Sequence, residues 1–257
     1  MLDHSLRGKV VVIGGGAKNL GGLIARTLAS GGAKAIAVHY NSDATQAAAA
    51  ETIAAINAAG AEAIAVQGDL TKVSEITRLF DETIQRFGQV DIAINTTGMV
   101  IKKPFTETTE EEYDKIFAIN SKAAFFFLQE AGKKLGEGGK ICTIVTSLLG
   151  AFTGYYSSYA GSKAPVEHFT RAASKEFGPR GISVTAVAPG PMDTAFFYGQ
   201  ESKEAVAYHS SAADLSKFSK TGLTDIEDIA LLVKFLVTEG WWITGQTILA
   251  NGGYTTK

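Results

Sequence analysis

A chain of 257 residues, 46% hydrophobic and 19% charged, suits one large α/β domain or two small ones. Its net charge of −2 gives no electrostatic footprint for nucleic acid or an anionic membrane, and its single cysteine, Cys142, rules out an internal disulfide. No apolar run approaches the ~20 residues that span a bilayer, and Met1 to Lys9 has no apolar core of signal-peptide length, so a soluble cytoplasmic protein is expected.

Apolar runs of strand length alternate with longer stretches of helical period. Val10 to Ile13 reads as a strand, and a helix opens near Gly21 and reaches Ser30. Ala35 to Val38 is a second strand, and an alanine-rich helix covers about Ala44 to Ala59, with Gly60 suited to its C-cap. Ala63 to Val66 is a third strand, Ser74 to Phe87 a third helix and Ile92 to Ile94 a fourth strand. A long helical stretch runs from about Glu110 to Leu135. Lys140 to Val145 is a fifth strand, in whose apolar run Cys142 reads as a buried structural thiol. Ser157 to Phe177 is a fifth helix and Ser183 to Val187 a sixth strand. Pro191 to Gly222 has no clear periodicity, and long loops of this kind are often functional lids. Asp225 to Val237 is a helix and Thr247 to Ala250 a short last strand.

Alternating strands and helices predict a doubly wound parallel sheet of about seven strands, covered by helices on both faces. The continuous apolar strands agree, because a parallel sheet is buried on both sides. With no low-complexity linker, repeat or charge block, a single domain over residues 1–257 is the economical reading.

Two segments carry chemistry. Gly14-Gly15-Gly16-Ala17-Lys18-Asn19-Leu20-Gly21-Gly22 lies between the first strand and the first helix, where a glycine-rich turn lets the backbone approach a pyrophosphate. Tyr159 and Lys163 stand four apart on a predicted helix, hence on one face. Of eight tyrosines only Tyr159 has a lysine at the fourth position. An ammonium there favours the phenolate and is expected to draw the phenol pKa down toward neutrality. An isolated pair of this kind is usually a surface contact; the surrounding segments change its weight.

These segments resemble the short-chain dehydrogenase/reductase family over nearly the whole chain. Its Thr-Gly-x-x-x-Gly-x-Gly pattern maps onto Gly14 to Gly21, with Gly14 for the threonine and Asn19 for the middle glycine. Asparagine tolerates a left-handed backbone, so the turn is expected to survive. The resemblance implies cofactor contacts by Gly15, Lys18, Asn19, Leu20 and Gly21. It adds the Asp69-Leu70 pair at adenine, against a plain strand-end reading of Asp69. It also adds Asn95 and Gly98 from Asn95-Thr96-Thr97-Gly98, and Pro189, Gly190 and Thr194 beside the nicotinamide. Trp242 to Gln246 and Asn251 to Gly253 match its C-terminal pattern, read as mainly structural.

The second strand runs into Tyr40-Asn41-Ser42 with no acid before Asp43, whereas NAD-specific sites usually place a carboxylate here for the ribose 2′-hydroxyl. Lys18 supplies a positive charge in the glycine-rich turn. Both features favour NADPH over NADH, with solvated loop residues as the plainer alternative.

By resemblance the catalytic set is Asn120, Ser147, Tyr159 and Lys163. Asn120 would bond a main-chain carbonyl or hold a proton-relaying water. Ser147 ends the fifth strand, where ligands gather in open α/β sheets. The Ser-x-x-Gly pattern picks it over the runner-up Thr146, although its 12-residue spacing to Tyr159 is shorter than in many members. Tyr159 would be the general acid that protonates a ketone or aldehyde as NADPH delivers hydride, Ser147 would fix the oxygen, and Lys163 would also bond the nicotinamide ribose. Leu148, Tyr155, Phe196 and Phe197 join Ser147 and Tyr159 as expected substrate contacts, within an apolar wall that also includes Met99, Val100, Tyr156 and Tyr198. The run Phe125 to Glu130 and Gly138 to Ile141 resembles the naphthol and carbonyl reductase branch more than the 3-oxoacyl-carrier branch. An oxidative alcohol or polyol dehydrogenase shares the same residues, and an NADP-sensing protein ranks low because Tyr159 and Lys163 are both present. No metal site is expected. The family resemblance adds a homotetramer built on the long fourth and fifth helices, and a small lipophilic carbonyl compound as substrate.

Overall fold

The computed structural model describes residues 3–151 and 153–256. Its strands are β1 (Val10–Gly14), β2 (Ala35–Tyr40), β3 (Glu62–Gln67), β4 (Ile92–Asn95), β5 (Lys140–Ile144), β6 (Ser183–Pro189) and β7 (Thr247–Ala250). They form one sheet in the order β3-β2-β1-β4-β5-β6-β7, and every neighbouring pair is parallel. Every residue of β1, β4, β5 and β6 is buried. Their unbroken apolar runs follow from burial on both faces, which no alternating pattern could meet.

The helices are α1 (Asn19–Ser30), α2 (Gln46–Ala58), α3 (Val73–Phe87), α4 (Glu110–Phe117), α5 (Ala123–Lys134), α6 (Ser157–Phe177), α7 (Ala195–Tyr198), α8 (Lys203–Ala212) and α9 (Ile226–Leu236). α1 packs on α2 and α9, while α5 packs between α3 and α6. Two core layers result. One joins Ile24 and Leu28 of α1 to Ile229 and Val233 of α9 beneath the sheet. The other joins Phe80 of α3 to Phe127 of α5, whose rings meet edge-on at 5.1 Å.

Two stretches differ from the sequence expectation. The stretch from 110 to 135 is not one continuous helix. α4 starts at a capping box in which Thr109 and Glu112 satisfy each other's backbone N–H. A wide π-turn then runs from Ala118 to Lys122 before α5 begins. Periodicity cannot register such an inserted turn, because both flanking helices keep their own apolar faces. The aperiodic stretch 191–222 holds α7 and α8. α8 is started by the Ser202 side chain, which accepts the Ala205 N–H. Of its residues only His209 is buried, so it has no apolar stripe to read. Gly60, at φ 92°, follows α2 in the left-handed conformation expected of its cap.

Candidate active site

The strand order reverses direction between β1 and β4, and this switch point is where open α/β sheets bind ligands at their C-terminal strand ends. Gly14 and Asn95 stand opposite each other there. The chain leaves β1 in a turn with Gly15 at φ 75° and Asn19 at φ 49°, the left-handed backbone expected of that asparagine. A Cβ on Gly21 would lie 2.2 Å from the Gly15 carbonyl oxygen, so only glycine lets α1 start this close to the turn.

A cleft follows the rim of the sheet. It is lined by Gly15, Lys18, Asn19, Leu20 and Gly21 from the turn, Tyr40 and Asn41 after β2, Gly98 after β4, Tyr159 and Lys163 on α6, and Thr194. These residues were expected from sequence. The remaining expected cofactor residues are elsewhere. Pro189 and Gly190 line the adjoining cavity. Leu70 is buried in the core beneath α3. Asp69 accepts the Thr71 N–H and hydroxyl at 3.0 and 2.7 Å. Ser42 starts a short turn through a capping box with Thr45. Asn95 accepts the Thr97 N–H at 3.0 Å and shapes the loop after β4.

His39, Thr45, Thr96 and Thr97 line the cleft without having been expected. His39 is buried in β2 and ties two loops together. Its Nδ1 accepts the Gly15 N–H at 3.1 Å and its Nε2 lies 2.7 Å from the Gly68 carbonyl oxygen. An amide N–H only donates and a carbonyl only accepts, so these partners fix the neutral tautomer with the proton on Nε2. Burial lowers the His39 pKa in the same direction. A histidine inside an apolar strand was the one available sign in the sequence.

The cleft fits a phosphorylated dinucleotide. Its turn is closed to any side chain at position 21, and the Thr97 hydroxyl oxygen is buried without a protein partner on its wall. Lys18 makes no ion pair among the described residues. Asp43 accepts from Gln67 Nε2 at 2.9 Å and does not line the cleft.

A second, mostly apolar cavity opens from the first, lined by Val100, Leu148, Tyr156, Phe196, Phe197 and Tyr254 among others. Tyr159, Thr194, Met192 and Phe196 line both spaces, so the Tyr159 phenol stands at their junction. Tyr155 does not line the cavity. At φ 68° its backbone is left-handed, and the residue is 59% exposed. Tyr156 takes its place at the wall, with its hydroxyl donating to the Glu201 carboxylate, which also pairs with Lys102 at 2.5 Å. Met99 and Tyr198 do not line the cavity either.

Asn120, Ser147, Tyr159 and Lys163, the residues expected to be catalytic, lie near the start of α6. Lys163 donates to the Thr97 and Ile144 carbonyl oxygens at 3.2 and 3.0 Å. A Cβ on Gly98 would come within 3.0 Å of both Lys163 Nζ and Asn120 Oδ1. Asn120 sits in the π-turn and is fully buried. Its Nδ2 donates to the Met99 carbonyl and to Ser162 Oγ, each at 2.9 Å, and its Oδ1 accepts the Met99 N–H at 2.9 Å. That is the main-chain bonding role expected of it. Ser147 Oγ donates to the Ala188 carbonyl at 3.0 Å.

One electrostatic expectation is overturned. Burial pushes the Tyr159 phenol up to about 12, with the Thr146 side-chain hydrogen bond as the opposing influence. Lys163 does not pull it down, because burial lowers Lys163 itself to about 8 and its bonds go to carbonyls. Burial likewise raises Cys142 to about 12, an inert thiol as expected.

Fold and site together define a class, the Rossmann-type oxidoreductases, in which a nucleotide cleft at the switch point adjoins a substrate cavity. A family model described as enoyl-(acyl carrier protein) reductase matches residues 15–255, and the chain belongs to the short-chain dehydrogenase/reductase family. It is 37% identical to the hydroxynaphthalene reductase-like protein Arp2 of Metarhizium brunneum, across 98% of this chain and 97% of that one. It is 38% identical to the short chain dehydrogenase claC of Passalora fulva, across 96% and 95%. A dehydrogenase structure from Burkholderia cenocepacia with bound NADP is 68% identical, with a TM-score of 0.99, and covers 100% of this chain and 97% of that one. No helix among the described residues is long and apolar enough to cross a membrane.

Proposed function

We propose that the protein is an NADPH-dependent reductase that converts a small lipophilic ketone or aldehyde into an alcohol. The position of Tyr159 carries this reading: the phenol borders both the nucleotide cleft and the apolar cavity. NADPH, when bound, supplies the hydride. Tyr159 gives its proton to the carbonyl oxygen as negative charge develops there. Lys163, which donates to two carbonyls, would give its remaining N–H to the nicotinamide ribose, and Asn120 fixes the loop that carries Met99. Burial holds the Tyr159 phenol protonated above neutral pH, the form from which a reductive proton transfer starts.

NADPH is preferred to NADH because Lys18 and Asn41 line the cleft while Asp43 is engaged by Gln67. A bound NADP in the Burkholderia cenocepacia relative supports the same choice. The cavity's aromatic lining and the reductase name of the Metarhizium brunneum relative support a lipophilic carbonyl substrate. Residues 191–222 serve as the substrate lid of a single domain, and the chains assemble as homotetramers through α4, α5 and α6.

The test is absorbance loss at ~340 nm, the reduced-nicotinamide band, with NADPH or NADH and a panel of aryl ketones, β-keto esters, quinones and 3-oxoacyl thioesters. Turnover with NADPH and little with NADH is expected. No turnover with any carbonyl, with NADPH still bound, would sink the proposal.

A further inference from the structure

Two adjacent hydroxyls, Thr146 and Ser147, line the cavity beside Tyr159, so lining alone does not choose between them. Their hydrogen bonds do. β5 ends at Ile144, and Val145 still pairs with β6 through its N–H to the Val187 carbonyl at 2.8 Å. Thr146 follows in extended backbone, φ −154° and ψ 146°, and caps the short turn Ser147–Leu149.

Ser147 is 2% exposed, and its one proton is committed to the Ala188 carbonyl of β6. Turning that hydroxyl toward a substrate would forfeit this bond, in a setting where an unpaired polar group is costly. Thr146 is arranged the other way. Its Oγ1 accepts the Leu148 N–H at 3.3 Å, so its own proton is free to donate elsewhere, and its side chain is the hydrogen-bond partner of the Tyr159 phenol.

We propose that Thr146, and not Ser147, supplies the second hydroxyl that holds the substrate carbonyl oxygen next to Tyr159. A carbonyl oxygen only accepts, so it needs donors, and Thr146 and Tyr159 are neighbouring hydroxyls on the cavity wall, linked by a hydrogen bond that an entering carbonyl oxygen would replace. As the C–H bond forms with the hydride of the reduced nicotinamide, the carbonyl π bond breaks. The oxygen then takes the Tyr159 proton. Thr146 keeps its own proton and donates a hydrogen bond throughout, and the Tyr159 phenolate regains a proton from solvent. Ser147 is then a structural tie between the end of β5 and β6. This assignment rests on the reductase reading above.

Four proteins decide it: wild type, Thr146→Val, Thr146→Ser and Ser147→Ala, each measured for kcat, KM of the ketone and NADPH affinity by fluorescence. Removing one preorganised donor should cut kcat by ~100-fold in Thr146→Val, with NADPH affinity unchanged. Thr146→Ser, which keeps the hydroxyl, should restore most of the rate. Ser147→Ala should lose thermal stability and lower kcat by less than Thr146→Val does. Full activity in Thr146→Val, or an equal loss of kcat in Ser147→Ala, would overturn the assignment while leaving the reductase reading intact. A wild type inactive with every carbonyl would overturn both.

Discussion

Tyr159 holds its proton because burial disfavours the phenolate, and Lys163 spends its hydrogen bonds on two carbonyls. The pH consequence follows directly. Reduction starts from the protonated phenol, which persists up to about 12. Oxidation starts from the phenolate, whose fraction grows tenfold per pH unit below that value. Initial rates in both directions between about pH 6 and about pH 10 should therefore show oxidation rising and reduction flat or falling. Parallel profiles would contradict the Tyr159 assignment. The Tyr159–Lys163 pair was legible because i and i+4 share a helix face, and both side chains do line the cleft. Their electrostatics were not legible, since a pKa depends on burial that spacing does not reveal. The exposed Tyr155 and the buried Tyr156 make the same point, as one left-handed residue exchanges their roles.

At the scale of elements, the turn between β1 and α1 depends on a glycine that packs backbone against backbone. In Gly21→Ala the new Cβ would meet the Gly15 carbonyl oxygen at 2.2 Å, and no rotamer can relieve that contact. The helix start must shift, so NADPH affinity should fall by ~5-fold or more, for ~1–3 kcal/mol of misfit. Titration of NADPH fluorescence checks this; unchanged affinity would mean that the cleft does not bind the cofactor through this turn. The turn was readable because its glycines fall between a strand and a helix. The π-turn around Asn120 was not, because one wide turn leaves the helical pattern on either side intact. α8 was missed for a related reason, its exposed surface giving no apolar stripe.

At the scale of the molecule, parallel pairing and two-faced burial follow from alternating apolar strands and helices, and the sheet is of the kind expected, while its strand order is seen only in the structure. The junction of cleft and cavity could not be read from the chain, since β1, β4, β5, β6 and α6 meet there from distant segments. Exposed aromatic residues on α4 and α5, Tyr113 at 49% and Phe125 at 43%, lie on the helices proposed for subunit contact. Light scattering should accordingly give the mass of four chains, and a monomer at micromolar concentration would contradict the assembly. The central claim is that Tyr159 is the proton donor at that junction. Its most direct test is Tyr159→Phe, with ketone turnover and NADPH binding measured side by side. Turnover lost by ~1000-fold or more with NADPH affinity retained is the predicted result. Near-normal turnover in that variant would contradict the account.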